Sequence, residues 1–194
     1  GRGLRVKPYH VSDTGRGTVT ELRLRTALAS DRDAIFGLLE SAASWLRARG
    51  IDYWQNWLAP PAHHIRWVDD GLSAGEFRLI EGSDGVLGCV RLQDSDPLFW
   101  PDATDPAGYV HSLTIDRRFT GQGLGARVLD LIASELAVRG VSLLRLDCGE
   151  SAAGLQHYYE SLGFRPVGTT AVDGESLVLY ERNGAERSLT SASS

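Results

Sequence analysis

A chain of 194 residues, 42% apolar and 23% charged, is long enough for one domain with a full hydrophobic core and has ordinary globular composition. A net charge of −5 without any basic stripe argues against nucleic acid as a partner, and no apolar run approaches the roughly 20 residues of a membrane helix, so no membrane partner is expected either. Cys89 and Cys148 both lie in apolar, strand-like runs and read as buried thiols rather than a disulfide framework. The first residues lack a charged-then-apolar leader pattern, which makes the cytoplasm the expected location.

Residues 1–20 are rich in Gly, Arg, Ser and Thr and carry no apolar period, so they are expected to form an N-terminal tail, matched by a polar tail over 183–194. One domain is expected between them, over 21–182. Leu22 to Leu28 alternates as a first strand. Ser30 is placed to cap a helix through Asp31, Asp33, Ile35, Leu38 and Leu39, and a second helical stretch ends near Gly50. Residues 51–68, with Tyr53, Trp54, Trp57 and Trp67, follow no clear period. Phe77 to Ile80 and Val86 to Leu92 flank Ser83-Asp84-Gly85 as a hairpin. An acidic, Pro-containing loop fills 93–108. Strand Tyr109–Ile115, helix Leu124–Arg139, strand Val141–Asp147, helix Ala152–Leu162 and two further strands complete the chain. The predicted class is α/β (α+β), a central mixed sheet of about six to seven strands flanked by about four helices.

The informative stretch runs from Thr114 to Ala126. It leaves a strand, turns through Gly121, Gly123 and Gly125, and enters an amphipathic helix. Glycines allow positive φ and close backbone approach, so consecutive N–H groups at a helix start can face one anion such as a pyrophosphate. The pattern G-x-x-x-x-G-K-[ST] is absent, and the third glycine falls one residue early for G-x-G-x-x-G. Asp147 stands where a ribose-binding acid would, so a nucleotide- or S-adenosylmethionine-binding enzyme stays open as an alternative.

Tyr109-Val110-His111-Ser112-Leu113-Thr114-Ile115 followed by Thr120-Gly121-Gln122-Gly123-Leu124-Gly125 resembles the core motif of the GNAT-type N-acetyltransferases. Tyr158-Tyr159-Glu160-Ser161-Leu162-Gly163-Phe164 resembles that family's second signature, at the usual separation. The resemblance implies a GNAT-like fold and transfer of an acetyl group from acetyl-CoA to a primary amine, on a small molecule or an exposed protein amine; the acidic net charge makes a small-molecule acceptor the expected one. Leu113, Thr114 and Ile115 would present backbone groups to the pantetheine arm. Arg118, Thr120, Gly121, Gln122, Gly123, Leu124, Gly125 and Ala126 would form the phosphate loop, and Tyr159 would protonate the departing sulfur. Thr120 replaces the family's usual Gln or Arg, and Ala152 replaces a frequent Asn that contacts the pantetheine. A non-catalytic acyl-CoA-binding module is the competing reading of these departures.

Aminolysis of a thioester needs an amine without its extra proton, and His111, on the strand before the loop, is the candidate base. The acids of the 93–108 loop, Asp94, Asp96, Asp102 and Asp105, would attract a cationic acceptor or simply face water. Tryptophans 45, 54, 57, 67 and 100 are expected mainly in packing, and an acyl-carrying Cys148 is the less favoured alternative to a buried thiol. No metal is expected, and exposed edge strands suggest a homodimer.

Overall fold

The computed structural model describes residues 17–185. Seven strands form one mixed sheet in the order β1-β2-β3-β4-β5-β7-β6. In chain order these are β1 (Arg23–Thr26), α1 (Arg32–Arg47), α2 (Ala62–Ser73), β2 (Phe77–Gly82), β3 (Gly85–Gln93), β4 (Ala107–Ile115), α3 (Leu124–Val138), β5 (Leu143–Gly149), α4 (Ala153–Ser161), β6 (Arg165–Val172) and β7 (Glu175–Asn183). The β4–β5 pair is parallel, whereas β1 through β4 run as an antiparallel meander.

Strand alternation sends apolar side chains to two faces. Val110, Leu144, Leu146 and Cys148 pack with Val128, Leu129, Ile132 and Leu136 of α3. On the other face Ile35, Leu39 and Ala43 of α1 and Val68 of α2 cover Phe77, Leu79 and Cys89. Tyr109 and Arg145, neighbours across the β4–β5 ladder, pack with Trp100 on a smaller cluster. Both cysteines are buried and free, as expected.

Several boundaries differ from the sequence expectation. Ser30 is not a helix cap: it sits inside a 3-10 turn, Ala29–Asp31, and the Asp31 carboxylate accepts the Leu28 amide at 2.8 Å while pairing with Arg25 at 2.9 Å. No second helix ends near Gly50, because α1 runs unbroken to Arg47. The second helix lies in the tract without a period and starts directly after Pro61, a residue whose fixed φ suits a helix entry. Asp147 and Cys148, expected at and just past a strand end, are inside β5. The expected tails fall outside the described residues except for 17–20 and 183–185.

The feature that positions the site is a parting of strands. The β4–β5 ladder pairs only Ala107–Tyr109 with Leu143–Arg145. On the other edge of β4 the register shifts between Cys89 and Arg91, and Ser112 holds a left-handed φ of 52°, an unusual conformation for serine. This bulge turns β4 away from β5 and presses it on β3. A Cβ at Gly88 would run into the Thr114 carbonyl. Gly88→Ala is therefore expected to destabilise the protein by about 2 kcal/mol, as overpacking does; the urea midpoint at unchanged slope measures it.

Candidate active site

Beyond Tyr109 and Arg145 the strands form a wedge, and its walls carry the candidate groups. His111 follows on β4 and Asp147 on β5. His111 Nε2 lies 2.7 Å from Asp96 Oδ2, and Nδ1 lies 3.6 Å from Asp147 Oδ2. Trp67 meets the imidazole edge-on and Phe99 tilts against it, with ring centroids at 6.2 and 5.0 Å. Asp96 belongs to the acidic loop, yet it is buried, and its backbone carbonyl accepts the Trp100 amide at 2.8 Å. Of the four loop acids, Asp94 pairs with Arg139 at 2.7 Å and Asp105 lies 3.7 Å from Arg145. Asp147, considered as a ribose-binding acid, instead faces His111. Burial pushes its carboxyl up to about 6, against a lowering by His111 and a further rise from Asp96.

Asp96, His111 and Asp147 are close enough to suggest a metal site. However, the two carboxylates address opposite ring nitrogens. The imidazole therefore stands between two carboxylates, at hydrogen-bond length from Asp96 and 3.6 Å from Asp147.

Tyr159 reaches the wedge from the other sheet face. It stands in α4 among Tyr158, Phe164 and Tyr180, with ring centroids 5.6 to 6.3 Å away. Burial, then the charges of Tyr53, Cys148 and Asp147, hold its hydroxyl protonated well above the ordinary phenol range. Cys148 is also held as a thiol, raised to about 11 chiefly by burial, which disfavours an acyl-cysteine role.

The glycine loop precedes α3. Gly121 and Gly123 adopt φ of 85° and 66°, Gly123 caps the helix, and no side chain caps it. The first amides of α3 thus lack intrahelical acceptors, and open space lies around both glycines, a cradle that fits an anion. Gly125 serves a different purpose: a Cβ there would stand 2.6 Å from the Tyr158 hydroxyl, so the glycine lets α4 close on α3. Leu113 and Ile115 are half-buried against the α3 core, and the Thr114 hydroxyl donates to the Ser112 carbonyl at 3.0 Å. Thr120 is exposed at the end of a 3-10 turn, Arg117–Phe119.

Two loop side chains are engaged elsewhere. Arg118 pairs with Asp116 at 2.7 Å. Gln122 accepts the Val19 amide at 2.9 Å, holding the incoming chain beside the loop, and Arg127 donates to the Val19 and Thr20 carbonyls at 2.6 and 2.9 Å. The Leu124 side chain and Ala126 are buried in the core. Arg117 is half-buried over Trp45, with Arg49 on the same indole.

A cleft of about 380 Å³ opens at the end of β5, bounded by Asp52, Tyr53, Glu150 and Glu175. Burial raises Tyr53 to about 12, with Asp147 the foremost charge acting on it. The sequence reading named only Tyr53 of these four, and without a role, because they come together only through the loop after α1, the end of β5 and the β6–β7 turn.

Residues 38–164 match the family model described as "Acetyltransferase (GNAT) family". The chain belongs to the GNAT acetyltransferase family. It is 30% identical over 150 residues, 75% of this chain and 82% of the relative, to an uncharacterized N-acetyltransferase, YesJ, of Bacillus subtilis (strain 168). A GNAT-family acetyltransferase from Listeria monocytogenes 4b F2365 superposes with TM-score 0.69 and 27% identity, covering 84% of this chain and 94% of that one. Aminoglycoside acetyltransferase AAC(6′)-Ib, solved with coenzyme A and kanamycin, shares the fold at TM-score 0.64 and 18% identity, over 84% and 95% of the two chains. The chain is thus an N-acetyltransferase with the GNAT architecture of a seven-stranded mixed sheet and four helices. Among the described residues no helix is long and apolar enough to cross a membrane.

The Asp147 carboxylate has a stability signature. A carboxyl raised above its unfolded value binds its proton more tightly in the native state, so stability falls as pH rises from about 4 through 6. Asp147→Asn, neutral throughout, is expected to be more stable than wild type at pH 8 by about 1–3 kcal/mol and to gain nothing at pH 4. Denaturant unfolding at the two pH values measures the difference.

Proposed function

We propose that this GNAT enzyme moves an acetyl group directly from acetyl-CoA to a primary amine of a small molecule. The observation that carries the reading is the wedge between β4 and β5, which has an uncapped, glycine-built helix start at one end and titratable groups on both walls. The thioester supplies the activated acetyl group when bound. The phosphates would be held by amides of the loop from Gly121 to Ala126. AAC(6′)-Ib, solved with coenzyme A, supports a coenzyme A ligand for this fold.

His111 takes a proton from the acceptor, oriented by Asp96. A carboxylate 2.7 Å from Nε2 fixes the imidazole ring and leaves Nδ1 as the accepting nitrogen. Tyr159 donates toward the sulfur. Its hydroxyl stays protonated at working pH, as an acid must be before it acts. The acceptor enters by the cleft at Asp52, Tyr53, Glu150 and Glu175, whose three carboxylates favour a cation. Kanamycin, an amine-bearing small molecule, occupies AAC(6′)-Ib in the same fold, in keeping with this acceptor class.

Calorimetry with acetyl-CoA, followed by thiol release with a panel of small amines, tests the reading. Wild type is expected to bind and to turn over at least one amine. Tyr159→Phe is expected to keep its affinity and lose about 100-fold in rate. Gly123→Val, which forces a branched residue into φ 66°, is expected to weaken acetyl-CoA binding. Absence of binding by wild type overturns the assignment.

A further inference from the structure

We propose that Asp147 and His111 act together as the proton-accepting unit, the acceptor's proton being deposited between His111 Nδ1 and the Asp147 carboxylate. The proposal rests on the N-acetyltransfer reading and adds a residue which that reading does not contain. Its starting point is the direction in which the imidazole faces. Asp96, 2.7 Å from Nε2, is an acceptor, so Nε2 carries the hydrogen and Nδ1 is left with the lone pair. That lone pair is not turned toward open solvent. It faces Asp147 Oδ2 across 3.6 Å, beyond direct hydrogen-bond length.

Asp147 Oδ2 is buried and has no hydrogen-bond partner. A buried carboxylate oxygen opposite an imidazole lone pair places two acceptors face to face with no donor between them. That arrangement lacks one proton, and an ammonium group supplies it. Half-buried carboxylates that hold the fold are met by donors, as Glu76 is by Arg91 at 2.6 Å and Glu181 by Arg145 at 2.8 Å. The location agrees: His111 and Asp147 are each two residues beyond the last β4–β5 pair, so the space between them opens where the strands part.

In the step itself one N–H bond of the ammonium breaks and its electron pair stays on nitrogen. One O–H or N–H bond forms in the gap, and the proton later passes to water. No oxidant, metal or further reactant is needed. The charged and titratable groups around the gap are Asp96 from the β3–β4 loop, Tyr53 from the loop after α1, Cys148 beside Asp147 on β5, and Tyr159 from α4. Because burial raises Asp147 to about 6, the gap is filled below that pH and ready to accept above it, which places an acid limb on the rate.

Asp147→Asn, Asp147→Glu and wild type decide the matter. Asp147→Asn is expected to lower kcat/KM for the amine about 100-fold, to displace the acid limb of its pH profile and to leave acetyl-CoA affinity unchanged. Asp147→Glu, which keeps a carboxylate, is expected to retain an acid limb. A second readout needs no turnover. Infrared difference spectra of the protein alone, between pH 4.5 and 8, should show a protonated-carboxyl band in wild type that is missing in Asp147→Asn. If wild type turns over but Asp147→Asn keeps both its rate and its pH profile, or the carboxyl band is absent, the proposal falls and the acetyltransferase reading stands. A loss of rate with an unmoved profile marks a structural role and overturns it equally. If wild type releases no thiol with any amine, the underlying reading falls and takes the proposal with it.

Discussion

A continuous β-sheet is a wall, and groups on its two faces cannot act on one molecule. Here α3 and α4 bring Tyr159 to one face, while His111, Asp147 and their aromatic neighbours stand on the other. The parting of β4 from β5 is what lets both sides reach the same place. Its vertex is fixed by Arg145, buried and bonded to the Tyr109 hydroxyl at 2.9 Å and to Glu181 at 2.8 Å, directly at the last paired residues. Its opening is fixed by Ser112, whose left-handed backbone inserts an extra residue opposite β3. A strained non-glycine residue of this kind is retained because the surrounding ladder over-determines it. The Leu113–Ile115 backbone and the imidazole both depend for their placement on that one bend.

Burying two carboxylates beside an imidazole is unfavourable unless each finds a donor. Asp96 finds one in His111, and its loop is tied down by the Trp100 amide. Asp147 finds none at hydrogen-bond length, and the cost shows as a carboxyl that holds its proton to about 6. Arg91, by contrast, lies between Glu76 and the Trp67 carbonyl, over the indole itself, in room left by Gly71. The contrast separates charge used to hold the fold from charge left in reserve.

The parts legible in the sequence were those encoded locally. Alternation placed β2, β3 and β4, and the spacing of Gly121, Gly123 and Gly125 together with Tyr159 identified the family, because backbone geometry at a helix start depends on neighbouring residues alone. The helix Ala62–Ser73 was hidden by its aromatic and histidine content: Trp67 and His64 serve ring contacts to Phe77 and Trp57 rather than a simple apolar stripe. Asp96 read as one more solvated loop acid, and Asp147 as the last residue of a strand. Their pairing with His111 spans separations of 15 and 36 positions, which no local pattern records. Only the sheet order, with β5 beside β4, brings Asp147 to the imidazole.

On the proposed reading the loop would hold phosphates with Thr120 where a longer polar side chain is usual. Arg118 is turned to Asp116, and Gln122 is spent on the chain at Val19, so the side chains of the loop contribute little direct charge. What remains is geometric: two left-handed glycines and a helix start with no side-chain cap. Arg117 adds a cation nearby under unusual terms. Burial first, and then the neighbouring Arg49 on the same Trp45 ring, lower its hold on a proton, so its charged form is stressed in the protein alone. An anion within reach of that pair would relieve the like-charge repulsion and the desolvation together. On the proposed reading, affinity for a polyanionic cofactor would come from groups left unsatisfied by the fold, as reactivity would come from Asp147.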